Sequence, residues 1–143
     1  MKVFIPILIF CLFYSTAGAQ RMNSVLSDGE WVKISVLSSG VHQVTGQELK
    51  DAGLTVIGTP SGHIRLFGNS NKMLPQANSD ARVQDLQEIA FHLKDGGDGI
   101  FDETDRIHFY APDAHEIIYD SDQGNYHYQN NIYTDSTHFF LTV

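Results

Sequence analysis

The chain consists largely of short segments rich in β-branched and aromatic residues, each separated from the next by Gly, Pro, Asp or Asn. In residues 32–36, for example, valine and isoleucine alternate with lysine and serine. A period of two predicts a strand with one buried face. Because helical segments do not alternate with these strands, the sequence predicts an all-β fold, an antiparallel sandwich or a barrel-like fold with one short helix.

Local signals predict the individual elements. Residues 30–44 have the pattern of a β-hairpin, with Ser-Ser-Gly as its turn. Thr45 and Glu48 have the spacing of a capping box, which predicts a helix that stops at Gly53. Residues 83–93 fit a helix or a strand, and the glycine-rich turn that follows favours the strand. Further strands are predicted in residues 63–67, 106–111, 115–120, 125–134 and 138–143.

The N-terminus predicts export. One lysine precedes an apolar run, and small residues follow it at positions 17–19. This is the pattern of a secretory signal peptide, because the run is too short to span a membrane. We expect residues 1–19 to be removed, leaving a single β-rich domain at 20–143. The expected location is the periplasm, the outer membrane surface or the extracellular space.

The amino-acid composition excludes several classes of function. Cleavage after Ala19 would remove Cys11, the only cysteine, so the remaining chain could form no disulfide, thiol nucleophile or thiolate metal site. Loss of Lys2 would leave 8 basic residues against 17 acidic ones. Such a charge balance argues against nucleic acid and anionic membranes as partners.

Catalytic and metal-binding motifs are not found in the sequence. The serines lack a G-x-S-x-G elbow, and no two histidines have H-x-x-x-H or H-E-x-x-H spacing. We therefore expect structural or surface roles for the seven histidines, and no catalytic residues, cofactor or metal ligands in this chain. The histidines are His42, His63, His92, His108, His115, His127 and His138.

An acidic, glycine-rich stretch, DGGDGIFDETD at residues 95–105, has two explanations. An EF-hand starting at Asp95 fails, because glycines occupy the third and fifth ligand positions. A looser calcium site formed by Asp98, Asp102 and Asp105 is the weaker alternative. The favoured explanation is a turn, in which glycines adopt positive φ and the same aspartates accept hydrogen bonds from nearby N–H groups.

The order of four segments resembles a known family. Residues 31–54, then 64–90 (with LFGN and MLP), then 95–113 (with DGIFDETDRIHFYA), then 131–143 (NIYTDSTHFFLTV) are similar to the N-terminal β-rich region of gingipain-like cysteine peptidases. The similarity is greatest to the sortases of the type IX secretion system of Bacteroidetes. It extends over residues 24–143.

The resemblance implies a non-catalytic, prodomain-like region that supports or restrains a caspase-like peptidase domain, in cis or in trans. The catalytic residues of that family lie beyond position 143, so none is carried over. The alternative is a free-standing exported module that binds calcium or glycan, with the aromatic stretch NYHYQNNIY at residues 125–133 as a stacking surface. Burial of Tyr126, Tyr128 and Tyr133 would favour the prodomain role, and their exposure would favour the binding module.

The last segment, HFFLTV, places apolar side chains on both faces of a strand. We expect this strand to be unfinished, with the domain truncated at its C-terminal end. An open edge and an open face would invite pairing with another chain. The isolated domain is therefore expected to be marginally stable or self-associating without its peptidase partner.

Overall fold

A computed structural model describes residues 23–69, 73–75 and 77–143 of the chain. The predicted signal peptide lies outside the described residues. The described part contains nine strands and one α-helix, which confirms the all-β prediction with one short helix. The elements are β1 (Val32–Val36), β2 (Gly40–Thr45), α1 (Gly46–Asp51), β3 (Arg65–Gly68), β4 (Gln87–Glu88), β5 (His92–Lys94), β6 (Arg106–Ala111), β7 (Glu116–Asp120), β8 (Asn125–Gln129) and β9 (Thr137–Thr142).

The strands form two antiparallel sheets and a separate hairpin, none of them closed into a barrel. The four-stranded sheet has the order β1-β9-β3-β4, and the three-stranded sheet has the order β2-β6-β5. Strands β7 and β8 pair only with each other among the described residues. Apolar side chains from both sheets meet in one core, where alternate residues of β6 and β9 are buried. The core residues are Val36, Leu49, Leu54, Val56, Ile64, Leu66, Phe101, Ile107, Phe109, Ala111, Phe139 and Leu141.

The predicted hairpin at residues 30–44 is wrong, although both of its strands exist. Strand β1 pairs with β9, and β2 pairs with β6 in the other sheet. Residues 37–39 therefore carry the chain from one sheet to the other. This arrangement lets both strands contribute to the shared core: Val36 of β1 is buried and Val44 of β2 packs at the margin, whereas Val41 of β2 is exposed.

The helix begins and ends as predicted. The Thr45 hydroxyl accepts a hydrogen bond from the Glu48 N–H at 3.2 Å, and the Thr45 N–H donates to the Glu48 carboxylate at 2.8 Å. These two bonds form the capping box. Gly53, just after the helix, has a φ of 94°. On the inner side, Leu49 anchors the helix in the core.

Three predicted strands have clearly different bounds in the structure. His63 lies in a 3-10 turn (Ser61–His63), so the third strand starts at Arg65 and not at residue 63. The preference for strand over helix in residues 83–93 is confirmed, but the segment divides into β4 in one sheet and β5 in the other. Likewise, the predicted strand at 125–134 ends at Gln129.

The last strand does not have the open edge that the sequence suggested. Strand β9 lies between β1 and β3, so both of its edges are paired. Phe139 and Leu141 are buried against the core, whereas Phe140 on the other face is half-buried. Self-association through a free edge of β9 therefore loses its structural basis. The described residues include no helix that is both long and apolar enough to cross a membrane.

Candidate functional site

The acidic loop of residues 95–105 connects β5 to β6 and is folded by its own side chains. The Asp95 carboxylate accepts a hydrogen bond from the Gly97 N–H at 3.1 Å, and the Asp98 carboxylate accepts one from the Ile100 N–H at 3.0 Å. Gly97 has a φ of 90° and Gly99 a φ of 77°, a conformation that a β-branched residue avoids. The turn interpretation of this stretch is confirmed.

The loop is held to the body of the protein by main-chain bonds around Phe101. The side chain of Phe101 is fully buried in the core. Its N–H donates to the Thr59 carbonyl at 2.9 Å, and its carbonyl accepts from the Gly58 N–H at 2.8 Å. The Ser61 N–H also donates to the Gly99 carbonyl at 2.9 Å. These bonds fix the position of the loop and explain why an apolar residue lies within an acidic stretch.

The second half of the loop supports the start of the helix. The Gly46 N–H donates to the Asp105 carbonyl and the Gln47 N–H donates to the Glu103 carbonyl, both at 3.0 Å. The contact is so close that a Cβ on Gly46 would lie 1.9 Å from the Asp102 carbonyl oxygen. An ion pair between Lys50 and Glu103 lies on the surface of the same junction.

The carboxylates of the loop aspartates accept hydrogen bonds from nearby N–H and O–H groups. Hydrogen bonds from the Thr104 hydroxyl and N–H, 2.8 and 2.7 Å long, lower the pKa of Asp102 below its usual value. The Ser61 hydroxyl and the Gly97 N–H lower the pKa of Asp95. The Asp105 carboxylate, which is buried, accepts from the Asp102 N–H at 2.7 Å.

The three aspartates of the calcium alternative do not converge on one point. Asp102 and Asp105 are neighbours, whereas Asp98 accepts from a different turn of the loop. Across residues 23–69, 73–75 and 77–143, no group of three or more His, Cys, Asp or Glu side chains has the geometry to hold a metal ion. The side chains of the acidic loop shape its turns, and its backbone carbonyls position the first turn of α1.

A second feature is the hairpin of β7 and β8, which exposes an aromatic face. The cross-strand pairs Ile117–Tyr128 and Tyr119–Tyr126 lie side by side. Because side chains alternate along a strand, these four residues share one face, which we call the tyrosine face. All four are between 54% and 73% exposed.

The rings of the tyrosine face are held in pairs. Tyr119 and Tyr126 have ring centroids 5.0 Å apart, and Tyr128 lies 5.6 Å from the ring of His115. The Nδ1 atom of His115 in turn accepts a hydrogen bond from the Asn131 N–H at 2.9 Å. The base of the hairpin and the segment that follows it are therefore tied together.

The chain resembles a solved structure in both sequence and fold. That structure is the crystal structure of dimeric latent PorU from Porphyromonas gingivalis. Sequence identity is 27%, the TM-score is 0.62, and the likeness covers 83% of this chain. It covers 10% of the PorU chain, so this sequence spans about a tenth of the length of PorU.

Comparisons with protein families and with curated proteins found no match. No protein-family model matches the chain, and no curated protein matches it. The likeness to a region of PorU confirms, at the level of a distant structural match, the similarity inferred from the four segments of the sequence.

The histidines of the PorU-like fold differ in burial: three are exposed and four are half-buried. The exposed ones are His63, His92 and His127, and the half-buried ones are His42, His108, His115 and His138. His42 is hydrogen-bonded to the Ser38 carbonyl, and His138 on β9 to the Ser35 hydroxyl on β1. Burial, followed by the nearby Lys33, lowers the pKa of His138. His92 and His108 are cross-strand neighbours with ring centroids 6.1 Å apart, a proximity that their spacing in the sequence does not reveal.

Two members of the tyrosine face, Ile117 and Tyr119, were not singled out as site residues from the sequence. Their face cannot be assigned without the register that places Ile117 opposite Tyr128. Alternation gives a signal on β8, where His127 separates Tyr126 from Tyr128, but not on β7, where the apolar Ile118 lies between Ile117 and Tyr119.

Proposed function

We propose that this chain is a PorU-like, non-catalytic N-terminal domain that packs against a gingipain-like peptidase domain, in cis or in trans, and supports or restrains it. The observation that carries the proposal is the likeness to PorU, which extends over most of this chain but over a tenth of PorU. A module of this size leaves the rest of such a protein to supply the peptidase chemistry.

The direct test is a chimera in which this chain replaces the matching region of PorU from P. gingivalis. We expect the chimera to fold and to remain latent, as PorU does in its crystal form. PorU without the matching region is the control, and we expect it to be unstable or to hydrolyse peptides without activation. A chimera that behaves like the deletion would contradict the proposal.

We further propose that the chain acts only in combination with such a partner and has no peptidase or sortase activity of its own. Its single cysteine, Cys11, lies within the predicted signal peptide. Peptide turnover by the purified chain that a thiol reagent abolishes would contradict this.

Export belongs to the same proposal. Mass spectrometry of the exported protein should find Gln20 at its N-terminus, because the small residues at 17–19 precede it. Recovery of exported chains that begin at Met1 would contradict cleavage.

A second function, a free-standing exported binding module, is favoured by one observation. Tyr126, Tyr128 and Tyr133 are exposed, at 73%, 59% and 71%, whereas the prodomain role was expected to bury them. The two roles differ in what covers the tyrosines. Solvent protection of these tyrosines in the PorU chimera, relative to the isolated chain, supports the domain role, and unchanged exposure supports the binding module.

A further inference from the structure

The tyrosine face leaves large apolar and aromatic side chains of the hairpin exposed to solvent. Antiparallel strands with one covered face normally turn their apolar residues toward the core and their polar residues toward water. Here Ile117 and Tyr119 are exposed, while Glu116, Ile118 and Asp120 on the other face of β7 are partly covered. An exposed cluster of one isoleucine and three tyrosines marks a surface that binds another molecule.

The charged residues around the tyrosine face indicate what kind of molecule would bind there. From residue 107 to residue 143 the sequence has no lysine and no arginine. The charged residues of this segment are all acidic, apart from histidines, and are Asp113, Glu116, Asp120, Asp122 and Asp135. Asp120 and Asp122 lie at the tip of the hairpin, next to the Tyr119–Tyr126 pair. Glu116 and Asp120 lie on the opposite face of β7, but their charge still contributes to the negative potential at the tyrosine face, because a Debye length of about 8 Å exceeds the spacing of neighbouring residues on a strand.

Aromatic rings and a negative field together favour cations. A guanidinium or ammonium group is attracted to the face of a tyrosine ring and to nearby carboxylates. A second copy of this chain would instead bring the same negative charge against the first. The rings are already oriented by the Tyr119–Tyr126 and His115–Tyr128 contacts, which reduces the entropy lost on binding.

We propose that the tyrosine face is a docking surface for a basic protein surface, whose arginine or lysine side chains stack on Tyr119, Tyr126 and Tyr128. This inference goes beyond the proposed function, because it concerns the chemistry of the partner and not its identity. A PorU chimera that stays latent when the tyrosine face is altered would leave the proposed function standing, and the experiment below decides this inference separately.

The test measures binding of a fluorescent oligo-arginine peptide to the chain by anisotropy, with oligo-glutamate as the charge control. We expect saturable binding of oligo-arginine, weakened about tenfold in the variant that combines Tyr126→Ser and Tyr128→Ser. The matched control is Tyr110→Ser, since Tyr110 is 60% exposed on β6 in the three-stranded sheet. It should bind as the unaltered chain does.

Reversing the charge of one residue tests the contribution of the negative potential to binding and leaves the tyrosine rings unchanged. Asp122→Lys, at the tip of the hairpin, should weaken binding, whereas Asp80→Lys, also on an exposed residue, should change it little. Tyr126→Phe keeps the ring face and should preserve binding.

Several outcomes would overturn the proposal. One is an equal loss of oligo-arginine affinity in the Tyr110 variant and in the hairpin variant. Another is no loss of affinity in either variant. Both results would mean that the net charge of the chain alone attracts the peptide. Binding of a neutral oligosaccharide that Tyr126→Phe abolishes would assign the face to glycan. Dimerisation of the chain in analytical ultracentrifugation, abolished by the double tyrosine variant, would assign it to a second copy.

Discussion

Phe109 on β6 and Phe139 on β9 meet edge to face across the core, with ring centroids 4.9 Å apart and an interplanar angle of 61°. Both side chains are almost fully buried. This contact joins the central strand of the three-stranded sheet to an inner strand of the four-stranded sheet.

The first prediction concerns this pair. Phe139→Ala should lower the free energy of unfolding by about 3–5 kcal/mol, because it removes a buried ring and leaves a cavity. Phe140→Ala, on the same strand but half-buried, is the control and should cost less. Urea denaturation measures both. A double-mutant cycle with Phe109→Ala should give a coupling of about 0.5–1.5 kcal/mol. Equal losses for Phe139→Ala and Phe140→Ala would contradict the core assignment.

The second prediction concerns the junction between the helix and the acidic loop. Gly46→Ala would place a methyl group 1.9 Å from the Asp102 carbonyl oxygen, so the backbone must move apart. We expect a loss of about 1–3 kcal/mol in the free energy of unfolding. Gly62→Ala is the matched control, since a Cβ there meets no atom within 4 Å. If thermal unfolding shows the same stability for both variants, the close approach is not as described.

The third prediction concerns the conformation of the acidic loop. Gly97→Val and Gly99→Val should each destabilise the fold by about 1 kcal/mol or more, because valine disfavours positive φ. Space is not the cause, since a Cβ at either position meets no atom within 4 Å. Asp102→Asn should cost less than either. Chemical denaturation that ranks Asp102→Asn as the most damaging of the three would refute the backbone explanation.

The fourth prediction follows from the lowered pKa of Asp102 and Asp95. A carboxylate whose pKa is lower in the folded chain stabilises it above its unfolded pKa of about 4, and this stabilisation is lost as the pH falls through the folded value. The stability gap between the unaltered chain and Asp102→Asn should therefore close on acidification. Thr104→Val, which removes the hydroxyl donor, should reproduce part of the gap. A gap that widens in acid would reverse the assigned sign.

The fifth prediction addresses calcium at the loop. Because the carboxylates of Asp98, Asp102 and Asp105 accept local N–H groups, we expect no tight binding of calcium. Calorimetric titration measures this. Stoichiometric, micromolar binding that Asp102→Asn abolishes would make the loop a metal site.

Local signals in the sequence predicted the parts of the structure that depend on neighbouring residues. The capping box of Thr45 and Glu48 and the turns of the acidic loop involve residues two or three positions apart, so composition and spacing are sufficient to identify them. The all-β class follows in the same way from alternation along single strands.

Pairing between strands could not be predicted, because it depends on residues that are distant in sequence. A Ser-Ser-Gly turn permits a hairpin, but β1 and β2 lie in different sheets, from which Val36 is buried in the shared core and Val44 packs at its margin. For the same reason the sequence did not show that β9 is an inner strand, or that Ile117 and Tyr119 share a face with Tyr126 and Tyr128.

The position of β9 also has a consequence for the order in which the protein can fold. Ser35 on β1 and His138 on β9 are hydrogen-bonded although they are 103 residues apart. At a synthesis rate of about 5–20 residues per second, β9 is therefore synthesised several seconds after β1. Non-local pairing of this kind makes folding slow. Until β9 has been synthesised, β1 and β3 lack the strand that lies between them, and the larger sheet of a nascent chain stays incomplete and accessible to chaperones.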